Sequence, residues 1–399
     1  MSIAASVPDA LSLLRWFGEI CFAGACLGLV FTALESAFVL TFKRQNFQHE
    51  DFKHGDKDRG RSATTPVTIL KPLHDAESGL ETRLAAFSRQ DYAAPVQVLC
   101  GAPDQASAVA VVRAMHRDGP DAAIELTVDA CNHGVNRKVS NLINMLPRAR
   151  YDTLVLSDAD ILVGPDYLRG VIALLAAPGV GAVTCLYHGI ADKGWWARSS
   201  ALAINTQFLP QAITAIGLRL GKPCCGATIA LRRSMLERIG GFAAFADVLA
   251  DDYAIGAAVR AAGYDVVVAP FLVGHCCFEG SLRQLVLHQL RVARTIRSID
   301  PLGHAGTILT HPWPLALLAM LSGSAAAAGL AIAVLATRVA LCRCIEWRFG
   351  LPRQDYWLMP VQDLLAFAVF VASFFGARVN WQGFDYRVAT DGTLIEDET

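Results

Sequence analysis

The sequence predicts an α/β domain, with a mostly parallel sheet covered by helices on both faces, held between transmembrane helices. Three observations predict it. Apolar residues make up 53% of the 399-residue chain and charged residues 18%, against about 45–50% and about 25% in an average soluble domain. The apolar excess sits at the two ends of the chain. Between the ends, short apolar runs alternate with helical patterns, the order expected of parallel strands joined by crossover helices. Net charge is −1, from 35 basic and 36 acidic residues. No global field therefore attracts a polyanion, so no nucleic-acid partner is expected and any phosphate site must be local.

The first element is a span over residues 11–42. Residues 20–34 carry no charge, and the longer segment exceeds what ~30 Å of hydrocarbon requires at 1.5 Å per residue. Glu19 and Glu35 lie within it, either close to the interfaces or facing other helices. A cleaved signal peptide fits poorly, because residues 1–14 have no basic stretch and include Asp9. Lys43, Arg44, Lys53, Lys57, Arg59 and Arg61 follow the span, and only Arg15 precedes it. The positive-inside rule then puts the middle of the chain in the cytoplasm.

A polar linker over 43–65 leads into the domain expected over 66–280, about 250 residues with its flanks and one domain's worth. Strands are expected at 67–70, 96–100, 124–128, 153–157 and 180–187. Helices are expected at 79–89, 106–117, 137–146 and 165–176. A basic interfacial helix is expected over 281–300. A second span is expected within 310–345, with 313–337 as one helix, because residues 301–337 contain no Asp, Glu, Lys or Arg. Ser322-Gly323-Ser324 leaves open a hairpin instead. A third span is expected over 356–378, with Asp363 at head-group level or, alternatively, facing a partner helix. Residues 379–399 form a cytoplasmic tail. Arg338, Arg343, Arg348 and Arg353 resist this topology, which places them outside. The stretch 338–353 as an interfacial helix would remove the conflict.

The 11 cysteines include no C-x-x-C pair. They read as small buried hydrophobes in a reducing compartment.

In open α/β sheets ligands gather at the carboxyl ends of strands. Asp158-Ala159-Asp160 directly follows one expected strand. Two carboxylates at i and i+2 there can share a divalent cation, Mg²⁺ or Mn²⁺, that bridges to a diphosphate. The plainer reading is a solvated turn. Asp251-Asp252 opens an expected helix, where acids suit the helix dipole. Asp251 then caps while Asp252 points into a cleft. On residues 281–297, Gln284, His288 and Arg291 share one helix face, extended by Arg294 and Arg297. That helix either anchors at the lipid surface or offers a guanidinium to a diphosphate.

In this order the pieces resemble a family. VTILKPLHDAE (67–77), NRKVSNLINML (136–146), SDADILV (157–163), PCCGATIALRR (223–233), LADDYAIGAAVRAAGYDV (249–266), HQLRVARTIR (288–297) and VNWQGFDYRV (379–388) are similar to stretches of membrane glycosyltransferases of family 2 type. Closest in appearance are the ceramide glucosyltransferases of glycosyltransferase family 21 and bacterial hopanoid glycosyltransferases. The resemblance implies a GT-A (nucleotide-diphospho-sugar transferase) domain, a UDP-sugar donor, a membrane lipid acceptor and inversion at the anomeric carbon. It implies a multi-pass protein of a bacterial inner membrane, with the domain cytoplasmic.

The resemblance also implies roles. Asp158 and Asp160 hold the cation, Asp252 is the base, and Asp251 and Arg291 assist. Asp104 and Lys138 hold the nucleotide, with Lys71, Asp158, His288 and Arg294 also binding substrate. Asn136 and Asn141 orient the donor or are core residues. Where the family reads Q/R-x-x-R-W, this chain has His288-Gln289-Leu290-Arg291-Val292, which puts acceptor selectivity in question. A polyprenyl-phosphate sugar transferase, a polysaccharide synthase and a dead lipid-binding homologue are the alternatives.

Overall fold

The computed structural model describes residues 9–46, 65–118, 124–376, 378–381, 384–388 and 394–396. A long helix, α1 (Ala10–Asn46), leads to β1 (Val67–Pro72), α2 (Leu80–Ser88), β2 (Val96–Ala102), α3 (Ser107–Asp118), β3 (Ile124–Val128), α4 (Arg137–Met145), β4 (Thr153–Leu156), β5 (Ile161–Leu162) and α5 (Tyr167–Leu175). Then come β6 (Val180–Ala191), α6 (Trp195–Ala203), α7 (Leu209–Gly217), β7 (Ile229–Arg232), α8 (Arg233–Arg238), α9 (Asp251–Ala261), β8 (Asp265–Cys277) and α10 (Leu282–Ile299). Beyond α10 follow α11 (Pro301–Gly306), α12 (Pro312–Ala319), α13 (Ala325–Phe349), α14 (Met359–Ser373) and the short strands β9 (Arg378–Trp381), β10 (Phe384–Val388) and β11 (Leu394–Glu396).

Eight strands form one sheet in the order β3-β2-β1-β4-β7-β6-β8-β5. The first four are parallel. β7 runs against both β4 and β6, and β6 pairs parallel with β8. Strand residues alternate between two cores. Ile69, Val98 and Val155 pack with Leu84, Val112 and Leu168. Leu70, Leu99 and Leu154 pack with Val139, Leu142 and Ile255 on the other face. Both faces are apolar because helices cover both.

All five expected strands are present, and the last runs on to Ala191. β7 and β8 were not expected. β8 is hidden in the sequence by Pro270, which falls where the β6–β8 register shifts between Thr184 and Leu186. A proline is tolerated at such an irregularity. β7 makes the sheet mixed, a modest departure from a mostly parallel one.

Among the described residues, three helices are long and apolar enough to cross a membrane: Ala10–Phe42, Ala325–Phe349 and Tyr356–Ser373. The expected single helix over 313–337 is broken. α12 ends in a tight turn, Gly323 takes the left-handed φ of 74°, and the Ser324 hydroxyl accepts from Ala326 N at 3.2 Å to start α13. α12 descends along α1, from Gly28 beside Pro312 to Gly18 beside Ser322. α13 returns alongside. Ala327 and Ala331 pack with Cys21 and Ala25, and Leu341 and Ile345 pack with Val39 and Phe42 near the domain.

The hairpin removes the charge conflict. The end of α13 meets the domain side of α1, where Phe349 lies 6.0 Å from Phe42. Arg198 of α6 donates to Asp355 at 2.7 Å. Arg343, Arg348 and Arg353 are thus on the domain's side of the helices. Asp363 is corrected as well. It is buried and takes two hydrogen bonds from Arg338, so it faces a partner helix rather than head groups. α14 packs along the domain, from Ser199 with Gln362 to Arg294 donating to Phe375 O at 2.8 Å. The expected basic helix is α10, capped by Ser281. Lys53, Lys57, Arg59, Arg61 and Gln382-Gly383 lie outside the described residues, as do the side chains of Lys43 and Arg44.

Small residues let α1 and the 320–322 turn touch, as in other membrane helix pairs. A Cβ on Gly18 would stand 2.3 Å from Ser322 N. Gly18→Leu is expected to destabilise the helix cluster by roughly 1–3 kcal/mol, the usual overpacking cost. Thermal unfolding of the detergent-solubilised protein checks this, and an unchanged midpoint would show that the contact is slack.

Candidate active site

The carboxyl ends of β1, β2, β3 and β4 open onto one cavity of about 1060 Å³. Its walls include Asp104, Lys138, Asp158, Asp160, Asp251, Asp252, His288 and Arg291. The sequence brings them together because β4 ends at Leu156, two residues before Asp158, and α9 begins on Asp251. The loop 223–228 closes the gap between them. Asp158 N donates to Gly226 O at 3.3 Å, and Gly226 N donates to Asp252 Oδ2 at 2.9 Å. Gly226 must be glycine, since a Cβ there would sit 2.6 Å from Asp158 Oδ2 and 3.1 Å from Lys138 Nζ.

Lys138, in the first turn of α4, ties the two acidic sites together. Its ammonium is 2.8 Å from Asp158 Oδ1 and 3.1 Å from Asp251 Oδ2. Burial alone would favour the neutral amine, but the charges of Asp158 and Asp251 hold Lys138 well above the usual lysine range. Burial pushes the Asp158 carboxyl up, against the pull of Lys138. Burial opposes ionisation of Asp160 too, yet the His275 imidazole, with Nε2 3.2 Å from Oδ2, holds Asp160 well below its ordinary value. Asp252 has no such partner. Burial and the Asp251 charge raise it to about 6. Glu77, at the cavity edge, is raised to about 7 by burial and by Asp160.

Asp160 Oδ1 is buried and has no hydrogen-bond partner. That suits a hard cation, which takes carboxylate oxygens. Among the described residues no group of three or more His, Cys, Asp and Glu side chains forms a complete metal cage. A cation here would be held by one or two carboxylates and by substrate oxygens, the usual arrangement for Mg²⁺ at phosphates.

α10 supplies the opposite wall. His288 Nδ1 is 2.7 Å from Glu279 Oε1, and Ser200 Oγ donates to the same oxygen at 2.9 Å. Arg291 feels the charges of Asp160 and Asp158. Val292, Ile296 and Ile299 continue the wall. Tyr187 stacks between Phe208 at 4.5 Å and His275 at 5.2 Å, and all three line the cavity.

The model of Glycosyl transferase family 21 matches residues 23–394. The chain belongs to glycosyl transferase family 21. This family 21 chain is 23% identical over 205 residues to ceramide glucosyltransferase 1 of Caenorhabditis elegans, a match covering 51% of the chain and 44% of that relative. It is 22% identical over 250 residues to ceramide glucosyltransferase 3 of the same organism, covering 61% and 52%. The chain thus spans about half the length of these curated relatives. Among solved structures, the mannosyltransferase PcManGT from Pyrobaculum calidifontis, in complex with GDP-Man and Mn²⁺, is 23% identical. That likeness covers 86% of this chain and 99% of that one, with a TM-score of 0.44. Glucosyl-3-phosphoglycerate synthase from Mycobacterium tuberculosis, with Mn²⁺, UDP and phosphoglyceric acid, is 15% identical, covering 60% and 80%, with a TM-score of 0.37.

Two residues expected at the site of this family 21 chain lie off the cavity wall. Lys71 is fully buried beneath it. Its ammonium donates to Asp158 O and to Ser157 Oγ and rests 4.0 Å over the Phe87 ring. Burial lowers it to about 8. It braces the backbone of the acidic turn rather than facing a ligand. Arg294 turns to α14 and Phe375 O. Asp251 is the first helical residue and makes no cap; its ion pair with Lys138 replaces that expectation. Asn136 caps α4 and donates to Val248 O at 2.8 Å. Asn141, on the wall, donates to Gly101 O at 2.8 Å. Asp104 is exposed at the rim, 3.9 Å from Arg113. The sequence reading missed His275, Tyr187, Phe208 and Gly226. The one usable signal was the histidine in Gly274-His275, at the end of a strand that went unread.

Lys138→Met would leave Asp158 and Asp251 facing each other without a cation. The expected loss is about 1–3 kcal/mol, below the range for fully buried pairs because Asp158 is partly exposed. Thermal unfolding checks it. A variant as stable as the parent would mean the carboxylates simply take up protons.

Proposed function

We propose that this protein transfers a hexose, glucose or N-acetylglucosamine, from a UDP-sugar to the hydroxyl of a membrane lipid of hopanoid or ceramide type, with inversion. The observation that carries the reading is the convergence of the Asp158/Asp160 turn, the Asp251/Asp252 turn and Arg291 on one cavity whose α10 wall packs on apolar α14. Membership of glycosyl transferase family 21 and the ceramide glucosyltransferase relatives support it.

In this reading the donor lies along the polar side, from Asp104 to Lys138. Asp158 and Asp160 would hold a divalent cation, Mg²⁺ or Mn²⁺, which when bound neutralises diphosphate charge as the sugar departs. His275 keeps Asp160 ionised for that task. Arg291 offers a fixed positive charge from the other wall, where it favours a departing diphosphate more than the intact donor. Asp252 takes the proton of the acceptor hydroxyl. Its carboxyl, raised to about 6, is ionised at neutral pH and still basic enough to accept a proton. The acceptor reaches the cavity past Val292, Ile296 and Ile299, on the side nearest the membrane helices. Val292 in the place of the family tryptophan leaves that side wide, which favours a rigid polycyclic lipid. The domain faces the cytoplasm, the side to which the positive-inside rule assigns the basic sequence that follows the first span.

Asp160→Ala is expected to remove transfer, and so is excess chelator with the parent, each raising the barrier by roughly 3 kcal/mol or more. UDP release measured with and without metal tests both. Full rate in chelator would defeat the cation's role.

The base must be ionised to act, so the rate should climb as pH rises through about 6 and level off above. Asp252→Asn should lower the rate on the order of 10²–10⁴ while retaining donor binding, and should abolish that limb of the profile. An unchanged pH profile in the variant would assign the proton transfer elsewhere.

A further inference from the structure

α6 and α7 are one helix interrupted at Ile204–Phe208 by a widened turn with π-type bonding. Such turns concentrate at functional sites. Here every polar side chain of the turn is held. Asn205 accepts from Gly189 N at 2.8 Å and donates to Gly189 O at 3.1 Å, which ties the turn to β6. Thr206 O accepts from Arg338 Nη1 at 2.8 Å. Gln207 Nε2 donates to Asp363 Oδ1 at 3.0 Å. Arg338 of α13 and Asp363 of α14 form a forked pair, with Nε to Oδ2 at 3.0 Å and Nη2 to Oδ1 at 2.7 Å. Their side chains are only 2% and 4% exposed. The next residue of the turn, Phe208, stacks on Tyr187 at 20°, and both rings line the cavity.

A buried ion pair contributes little net stability, because apolar residues of similar volume usually serve as well or better. Ionisable residues in apolar helices are also rare without a function. This pair spends its spare hydrogen bonds on the widened turn. We propose that the Arg338–Asp363 pair is a positioning device, which through Thr206 and Gln207 sets the Phe208–Tyr187 face of the cavity for the acceptor lipid. The inference rests on the proposed lipid transfer. It makes the seating of the membrane helices and the shape of the acceptor side one property. Tyr187 contacts both Phe208 and His275, so the same face borders the acidic turn without belonging to it.

The test uses the full chain purified in detergent, with a ceramide or a hopanoid polyol as acceptor, whichever the parent glycosylates. The double variant Arg338→Met/Asp363→Leu removes the pair but keeps apolar volume. Phe208→Leu leaves the pair and removes only the ring. Both are expected to bind UDP with Mn²⁺ within about twofold of the parent by calorimetry and to raise the acceptor KM at least tenfold, with a smaller change in kcat. Parental acceptor KM in Phe208→Leu, or in a folded double variant, overturns the proposal. So does joint loss of UDP binding and transfer in Phe208→Leu, which would place the ring in the donor site. If the double variant is not recovered folded, Gln207→Leu, which cuts the link from Asp363 to the turn and keeps the pair, takes its place, and a parental acceptor KM there overturns the proposal. A parent that binds UDP but glycosylates neither lipid counts against the proposed function, not against the positioning of Phe208.

Discussion

Asp158, Asp160, Asp251 and Asp252 crowd one end of the cavity, and burying so many carboxylates together demands cations beside them. The site is organised around that constraint. Lys138 spans Asp158 and Asp251, and His275 holds Asp160. Lys71 sits under the acidic turn and spends its ammonium on backbone and hydroxyl oxygens. Asp252 alone takes only backbone donors, Gly226 N and Tyr253 N. Hydrogen bonds from neutral amides favour the charged form less than a cation does. Its carboxyl therefore stays higher than that of Asp160, and one cavity holds a carboxyl kept below the ordinary range beside one that burial and Asp251 raise to about 6. Environments that push carboxyl values apart are how such sites divide roles.

The acidic half of this arrangement was legible in the sequence because it is local. Asp158-Ala159-Asp160 follows a clear apolar strand, and a strand end in an α/β sheet is where ligands meet the chain. Asp251-Asp252 opens a helix with a clean period. Lys138 was named only through the resemblance, Arg291 also from its helix face, and the ion pairs themselves were not legible, because the partners meet from separate segments. His275 lies on β8, whose strand pattern is interrupted by Pro270, and its meeting with Asp160 depends on β5 pairing with β8. The resemblance implies that Lys71 binds substrate. Strand alternation instead sends it inward, over Phe87. Arg294 was grouped with Arg291 because both lie on one face of α10, three residues and about 60° apart around the axis. What separates them is α14, whose end takes the Arg294 guanidinium at Phe375 O, while Arg291 lines the cavity.

The membrane side shows how a composition profile hides architecture. Residues 301–337 read as one apolar block, since hydropathy averages over Gly323. A single left-handed residue there reverses the chain. The reversal decides where four arginines lie, which hydropathy alone had left in conflict with the positive-inside rule. Arg338 is the exception among them. It is buried, and it makes sense only with Asp363 opposite and the Thr206 carbonyl beside it.

The two sides of the cavity differ in kind, and under the proposed reaction that difference sorts the substrates. Asp104, Asp129, Asn132 and Asn144 line one side, and Phe208, Val292, Ile296 and Ile299 the other. A nucleotide diphosphate loses little hydration along the first. A lipid chain would leave apolar atoms in water there, at about 25 cal/mol for each Å². Along the second side the preferences reverse. Arg291 and Val292 are neighbours on α10 at the seam, so the charge that meets the leaving diphosphate and the apolar surface that admits the acceptor are carried by consecutive residues. A shift of α10 on α14 would therefore move both together. This explains why α10 is fastened at each end, by Ser281 and Glu279 near its start and by Arg294 and Arg297 to the end of α14.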